Sequence, residues 1–112
     1  MKQYAMTAML KNDECVRKYE EYHAAPWPQV LEILDKCGFR RIFIYRHGRQ
    51  IFMFFETVDN FDIKRDMARY SQDPYGKKWI ELMGNLLKPL PWQPRGSTWL
   101  QMKEIYTQDF LR

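Results

Sequence analysis

Tyr19 and His23 stand four residues apart, just ahead of the break Pro26-Trp27-Pro28. On a helix that spacing stacks two side chains on one face, so a phenol and an imidazole look into the same space, with an indole set beyond them by a stiff turn. The trio suits a small polar ligand with one apolar flank. An imidazole, with an ordinary pKa of about 6.5, takes and gives protons near neutrality. The same three residues also make an ordinary half-buried packing cluster, so spacing alone leaves catalysis and packing both open.

These residues must be held by elements that the pattern predicts as follows. Residues 3–10 read as a first strand. Asn12 or Asp13 caps a helix running to about His23, because a short side-chain oxygen accepts the unpaired N–H groups of a first turn. Pro26 and Pro28 end it. Proline is tolerated in a first turn, so a second helix starts at Pro28 with Val30, Ile33, Leu34 and Cys37 on one side, and Gly38 stops it. Residues 39–46 and 51–57 form an antiparallel hairpin around His47-Gly48-Arg49. Asp59 or Asn60 caps a helix over 61–70, and Asp73-Pro74 opens another that carries Trp79, Leu82, Met83, Leu86 and Leu87 at helical spacing. A proline-rich stretch, 88–96, precedes a last strand at 99–106.

The order strand, helix, strand, strand, helix, strand is the split βαβ, ferredoxin-like α+β arrangement, with helices over one face of a four-stranded antiparallel sheet. In Ile51-Phe52-Met53-Phe54-Phe55 both alternating sets are apolar, so neither face of that strand suits water. Helices shield one face only. The other is expected to meet a second copy, giving a homodimeric α+β barrel, or to hold an aromatic-lined pocket.

At 112 residues and 46% hydrophobic content, the chain predicts a single domain over 1–112. No apolar run approaches the roughly 18 residues of a membrane span, and residues 1–10 do not read as a leader. Cys15 and Cys37 are too few and too far apart for a disulfide framework or a Cys-x-x-Cys metal site, which fits a reducing, cytoplasmic setting. His23 and His47 have no matching carboxylate pattern, so no zinc or paired-metal site is expected. Eighteen Lys and Arg against 14 Asp and Glu leave a net +4. The densest basic group, Arg40, Arg41, Arg46, His47 and Arg49, flanks the hairpin turn and reads as a solvated tip, not as the basic, aromatic-interleaved groove of a nucleic-acid binder.

The segment Tyr19-Glu20-Glu21-Tyr22-His23-Ala24-Ala25-Pro26-Trp27-Pro28 resembles the L-rhamnose mutarotase family, whose members carry a tyrosine four residues ahead of a histidine and then a Trp-Pro pair. Residues 38–45, the strand ending Phe54-Phe55-Glu56, the helix around Trp79 to Met83 and the closing strand at 102–106 follow in the family's order, so the likeness covers essentially the whole chain. The resemblance implies a ferredoxin-like dimer that interconverts the α and β anomers of a 6-deoxy-L-hexose without metal or cofactor. It implies His23 as the proton-transferring catalyst, Tyr19 as a substrate-binding partner, Trp79 as a ring lying against the sugar, and Trp27 and Pro28 as pocket wall. Two positions depart from rhamnose-type members: Ile42 stands where they have an aromatic, and Ile80 where a second tryptophan follows the first. The ending Lys88-Pro89-Leu90-Pro91-Trp92-Gln93-Pro94, with Trp99 and 102–106, looks closer to the L-fucose mutarotases, which tips the expected sugar toward L-fucose with L-rhamnose next.

The residue types match the reaction. Mutarotation needs a proton on the ring oxygen and one off the anomeric hydroxyl, then bond rotation in the open aldehyde and the same transfers in reverse, which one acid and one base supply. His23 is expected to protonate the ring oxygen, with a Tyr hydroxyl, a carboxylate or a water at the anomeric proton. Glu20, three residues from His23, is a candidate carboxylate, though its bland reading is a solvated helix charge. Trp79 and Trp92 offer apolar faces for sugar C–H groups. Two rival readings remain: a cofactor-free monooxygenase of the same architecture, and a ligand-binding module without catalysis.

Overall fold

The structure is a computed structural model that describes residues 1–92 and 99–111. Its elements run β1 (Lys2–Leu10), α1 (Asp13–Ala24), α2 (Pro28–Lys36), β2 (Phe39–His47), β3 (Gln50–Thr57), α3 (Ile63–Gln72), α4 (Pro74–Gly84), β4 (Leu87–Lys88) and β5 (Leu100–Met102). Every pairing is antiparallel, and the sheet order is β2-β3-β1-β4, with β5 also on β1. This is the expected ferredoxin-like α+β fold.

Three boundaries differ from the sequence reading. The last strand was expected over 99–106 but pairs only at Leu100–Met102, opposite Ala5 to Thr7, while β4 pairs with Met9 and Leu10. The fourth strand position is therefore divided between two short segments along one edge of β1. Leu86 and Leu87 lie past the end of α4, where Asn85 caps the helix and Leu87 enters β4. They are buried all the same, so their apolar character reflects the core and not the helix period. Finally, α3 is capped by Asp62, not Asp59 or Asn60: its side chain accepts from Arg65 N at 2.9 Å. Part of the proline-rich stretch, 93–96, lies outside the described residues.

Each helical layer is broken in two by proline. Pro28 occupies the first turn of α2, and Pro74 that of α4, where Asp73 accepts from the N–H groups of Tyr75 and Gly76 at 3.0 Å each. Gly38 follows α2 with φ of 102°, and a Cβ there would come within 2.9 Å of Val58 Cγ2. Only glycine meets both demands without strain.

The core lies between the sheet's inner face and the helices. Phe55 stacks on Tyr4 at 5.2 Å and meets Phe39 at 5.0 Å, and Phe61 closes the cluster edge-on to Phe39 at 5.3 Å. On the other face Phe43 pairs in register with Phe54, and Tyr45 with Phe52. None of these four belongs to the core cluster. The doubly apolar strand therefore does have one set of rings that no helix covers.

Candidate active site

Asn12 starts α1, its side chain accepting from Cys15 N at 2.8 Å, and Asp13 and Glu14 place negative charge in the first turn, where the helix dipole favours it. Twelve residues later the helix stops at Ala24, and the Pro26-Trp27-Pro28 corner turns the chain into α2. His23 is thus in the last turn of α1, with Trp27 at the cap of α2.

Tyr19 and His23 stack at 4.2 Å between ring centroids, 28° apart. Trp79 of α4 stands edge-on to His23 at 5.4 Å and to Trp27 at 5.2 Å. Tyr22 also meets Trp79 at 6.1 Å. Three elements that are separate in the chain therefore bring Tyr19, His23, Trp27 and Trp79 into one ladder of rings, with Tyr19 and Trp79 buried and His23 and Trp27 half-buried. Pro28 is exposed at the start of α2.

The imidazole is fixed by its own helix. His23 Nδ1 lies 2.8 Å from the Tyr19 carbonyl oxygen. A carbonyl only accepts, so Nδ1 carries the hydrogen and Nε2 keeps the lone pair. Burial lowers the His23 pKa below its ordinary value, and the Tyr19 carbonyl opposes this to a lesser degree. The ring is neutral at neutral pH, with Nε2 ready to accept a proton. Burial holds the Tyr19 hydroxyl protonated far above the usual phenol range, with Tyr70 adding to the effect.

Tyr70 is a member of this neighbourhood that sequence reasoning passed over. It is buried near the C-terminus of α3, and its hydroxyl too is held protonated by burial, with Asp73 and Cys37 contributing. Among the described residues neither the Tyr19 nor the Tyr70 hydroxyl makes a hydrogen bond. Both retain a donor for a ligand or water, since buried polar groups are rarely left unpaired. Tyr70 stands 51 positions from Tyr19 in a segment without a motif. No local signal pointed to it, since only tertiary packing brings Tyr70 near Tyr19.

Other expected residues lie apart from the ladder. Glu20 is taken by Arg46, Nε to Oε1 2.6 Å, so the carboxylate suggested by its spacing serves an ion pair between α1 and β2. Ile42 lies on the edge strand β2 opposite Phe55, and Ile80 follows Trp79 on α4; each is 39% exposed and outside the cluster that packs with Tyr19 and Trp79. Trp92 is 70% exposed. His47 is exposed at the hairpin tip, as expected, and Gly48 beside it takes the positive φ of the turn. Among the described residues no three His, Cys, Asp or Glu side chains come together as metal ligands. Two open concavities lie away from His23, one between α1 and α4 beside Tyr22, the other between the outer sheet face and the C-terminal tail.

Comparison with known proteins bears on this arrangement. The profile of the family described as L-rhamnose mutarotase matches residues 3–108. An L-fucose mutarotase of Xanthomonas campestris pv. campestris is 28% identical over 93 residues, covering 81% of this chain and 74% of that protein. A UPF0734 protein of Dictyostelium discoideum is 30% identical over 116 residues, covering 99% of this chain and 93% of the relative. Among solved structures, an L-rhamnose mutarotase from Formosa agariphila superposes with a TM-score of 0.72 at 17% identity, covering 97% of this chain and all of that one.

Proposed function

The chain belongs to the L-rhamnose mutarotase family, isomerases that act on sugar anomers, and we propose that it interconverts the α and β anomers of a 6-deoxy-L-hexopyranose, L-fucose ahead of L-rhamnose. The observation that carries this reading is the ladder Tyr19–His23–Trp79 with Nδ1 pinned to the Tyr19 carbonyl, because it presents one basic nitrogen beside an apolar ring wall. Ile42 and Ile80 in place of aromatic side chains, together with the L-fucose mutarotase relative, favour L-fucose.

The lowered pKa reverses the order of transfers expected from the sequence. Neutral His23 takes the anomeric hydroxyl proton through Nε2 as the C1 to ring-oxygen bond breaks. The ring oxygen takes its proton from the Tyr19 hydroxyl or a water. Rotation about C1–C2 exposes the other face of the aldehyde, and the imidazolium returns its proton as the ring closes. Trp79 lies against the sugar's C–H face, Trp27 and Pro28 form the wall, and Ile42 and Ile80 stand where selectivity between the two sugars is set.

A homodimer packed through the uncovered sheet face completes the reading, supported by Phe43, Phe52 and Phe54 standing outside the core and by a structural neighbour described as a dimeric ferredoxin-like protein, TM-score 0.64. The reading also includes a single domain over 1–112 and a cytoplasmic location. No helix among the described residues is long and apolar enough to cross a membrane. Arg40, Arg41, Arg46 and Arg49 each hold an acidic partner, which leaves no free basic cluster at the hairpin for nucleic acid.

Saturation-transfer NMR of anomer exchange, with L-fucose and L-rhamnose as substrates, tests the function. The wild type is expected to accelerate exchange of at least one sugar and His23→Ala to lose that acceleration. Exchange of both sugars at the rate of buffer alone would overturn the assignment.

A further inference from the structure

Two of the ion pairs made by α1 reach another element. Asp13 in the first turn holds Arg49 at the hairpin turn at 3.1 Å, and Glu20 further along holds Arg46 of β2 at 2.6 Å. The helix therefore starts beside the hairpin tip and runs back along β2, against the direction of the strand. His23 lies three residues past Glu20, about 4.5 Å further along the helix axis, which brings it level with the strand one or two residues before Arg46. Cross-strand neighbours share a face of the sheet. Arg46, Ile44 and Ile42 stand opposite Ile51, Met53 and Phe55, which belong to the core or pack against it, so all three lie on the helix-covered face. The Glu20–Arg46 pair thus stands close to one helical turn from His23, in the same row of the sheet as Ile42.

The pair is only half used by the fold. Arg46 Nε donates to Glu20 Oε1, and Nη1 donates to the Gly48 carbonyl oxygen at 2.8 Å. Among the described residues Arg46 Nη2 and Glu20 Oε2 have no partner, and the two side chains are 39% and 57% exposed. Two of the three guanidinium nitrogens are held, and the group is planar, so the third is held in direction as well. An exposed ion pair contributes little to stability. A fixed charged donor next to a fixed charged acceptor does match two neighbouring sugar hydroxyls, one accepting and the other donating.

We propose that Arg46 and Glu20 hold the hydroxyls at C3 and C4 of the sugar, Nη2 donating to one and Oε2 accepting from the other, while His23 works at C1. A separation of roughly 5 Å, close to one helical turn, spans a pyranose ring from the anomeric hydroxyl to its C3–C4 side. L-Fucose and L-rhamnose have opposite configurations at C4, so a rigid pair facing that carbon distinguishes them and adds a polar determinant to the apolar ones at Ile42 and Ile80. The inference deepens the mutarotase reading above and rests on it.

Saturation-transfer NMR at varied concentrations of L-fucose and L-rhamnose tests it, on the wild type, Arg46→Met, Glu20→Gln and the reversed pair Glu20→Arg with Arg46→Glu. Thermal melting of each variant reports the fold, and the exposed positions should leave it intact. The expected result is a KM raised tenfold or more in both single variants for the sugar the wild type prefers, kcat within threefold, and a ratio of kcat/KM between the two sugars that moves toward one. The reversed pair restores the link between α1 and β2 but exchanges donor and acceptor, so its KM should stay high. Single variants with unchanged KM and unchanged sugar ratio would overturn the proposal, and so would a reversed pair that regains the wild-type KM, since the two residues would then only join helix to strand. A wild type that accelerates neither sugar would overturn the mutarotase reading itself and this inference with it.

Discussion

At the residue scale, the proposed mechanism makes His23 the position where a small change has the largest consequence. Its Nδ1 is occupied by a helix carbonyl and its pKa is lowered by burial, so the proposed mechanism draws on the neutral form. Activity should be level around neutrality and fall on the acid side, with the midpoint below the ordinary 6.5 of an imidazole. Tyr19→Phe removes a hydroxyl that pairs with nothing among the described residues. The fold should keep its stability within about 1 kcal/mol by thermal melting, while kcat/KM falls roughly tenfold or more. An unchanged kcat/KM would reduce Tyr19 to a packing residue. The Tyr19–His23 pairing was legible because a spacing of four residues survives any uncertainty in helix ends. Tyr70 was not, because only tertiary packing joins α3 to α1, and Glu20 was misleading because the same face rule that aimed it at His23 also let Arg46 of β2 claim it.

At the element scale, proline and short acidic side chains set the boundaries. Asp62 caps α3, and Asp66 accepts from Asp62 N at 2.8 Å and from the guanidinium groups of Arg65 and Arg69 at 2.9 and 3.2 Å. The Arg65 hydrogen bond first, then the backbone N–H, presses the Asp66 carboxyl down to about 2. A carboxyl whose pKa is lower folded than unfolded contributes stability above about 4, and that contribution is lost as pH falls toward 2. Asp66→Asn should cost about 2 kcal/mol by denaturant unfolding at pH 7, and the gap to wild type should close near pH 2. A constant gap across that range would mean that the carboxylate's charge is not what holds the turn. Helix α1, the corner at Pro26 to Pro28 and the hairpin followed from local signals. The α3 cap did not, since Asp59, Asn60 and Asp62 are all suitable and only Asp62 lies where its oxygen meets a free first-turn N–H. The last strand was overextended because Ile105 and Tyr106 favour strands whether or not β1 offers them a partner.

At the scale of the whole molecule, the sheet has one face packed on helices and one carrying uncovered rings. That much was readable in five consecutive apolar residues of β3, since alternation puts both faces in the same short stretch. What was not readable is how the fourth strand position is filled, because β4 and β5 are two and three residues long and their pairing depends on where α4 ends. Substituting the middle of the uncovered face, Phe52→Lys, should dissociate the proposed dimer on sedimentation while leaving far-UV circular dichroism unchanged, since Phe52 is outside the core. Retained dimerisation would place the contact elsewhere.

The most direct test of the account is the pH dependence of L-fucose anomer exchange, followed by saturation transfer for the wild type and for His23→Gln from pH 4.5 to 8. The account predicts a level wild-type rate at neutral pH, an acid limb centred below 6.5, and a rate lower by about a hundredfold or more in the variant. A wild-type profile without an acid limb, or a variant that keeps both rate and limb, would contradict it.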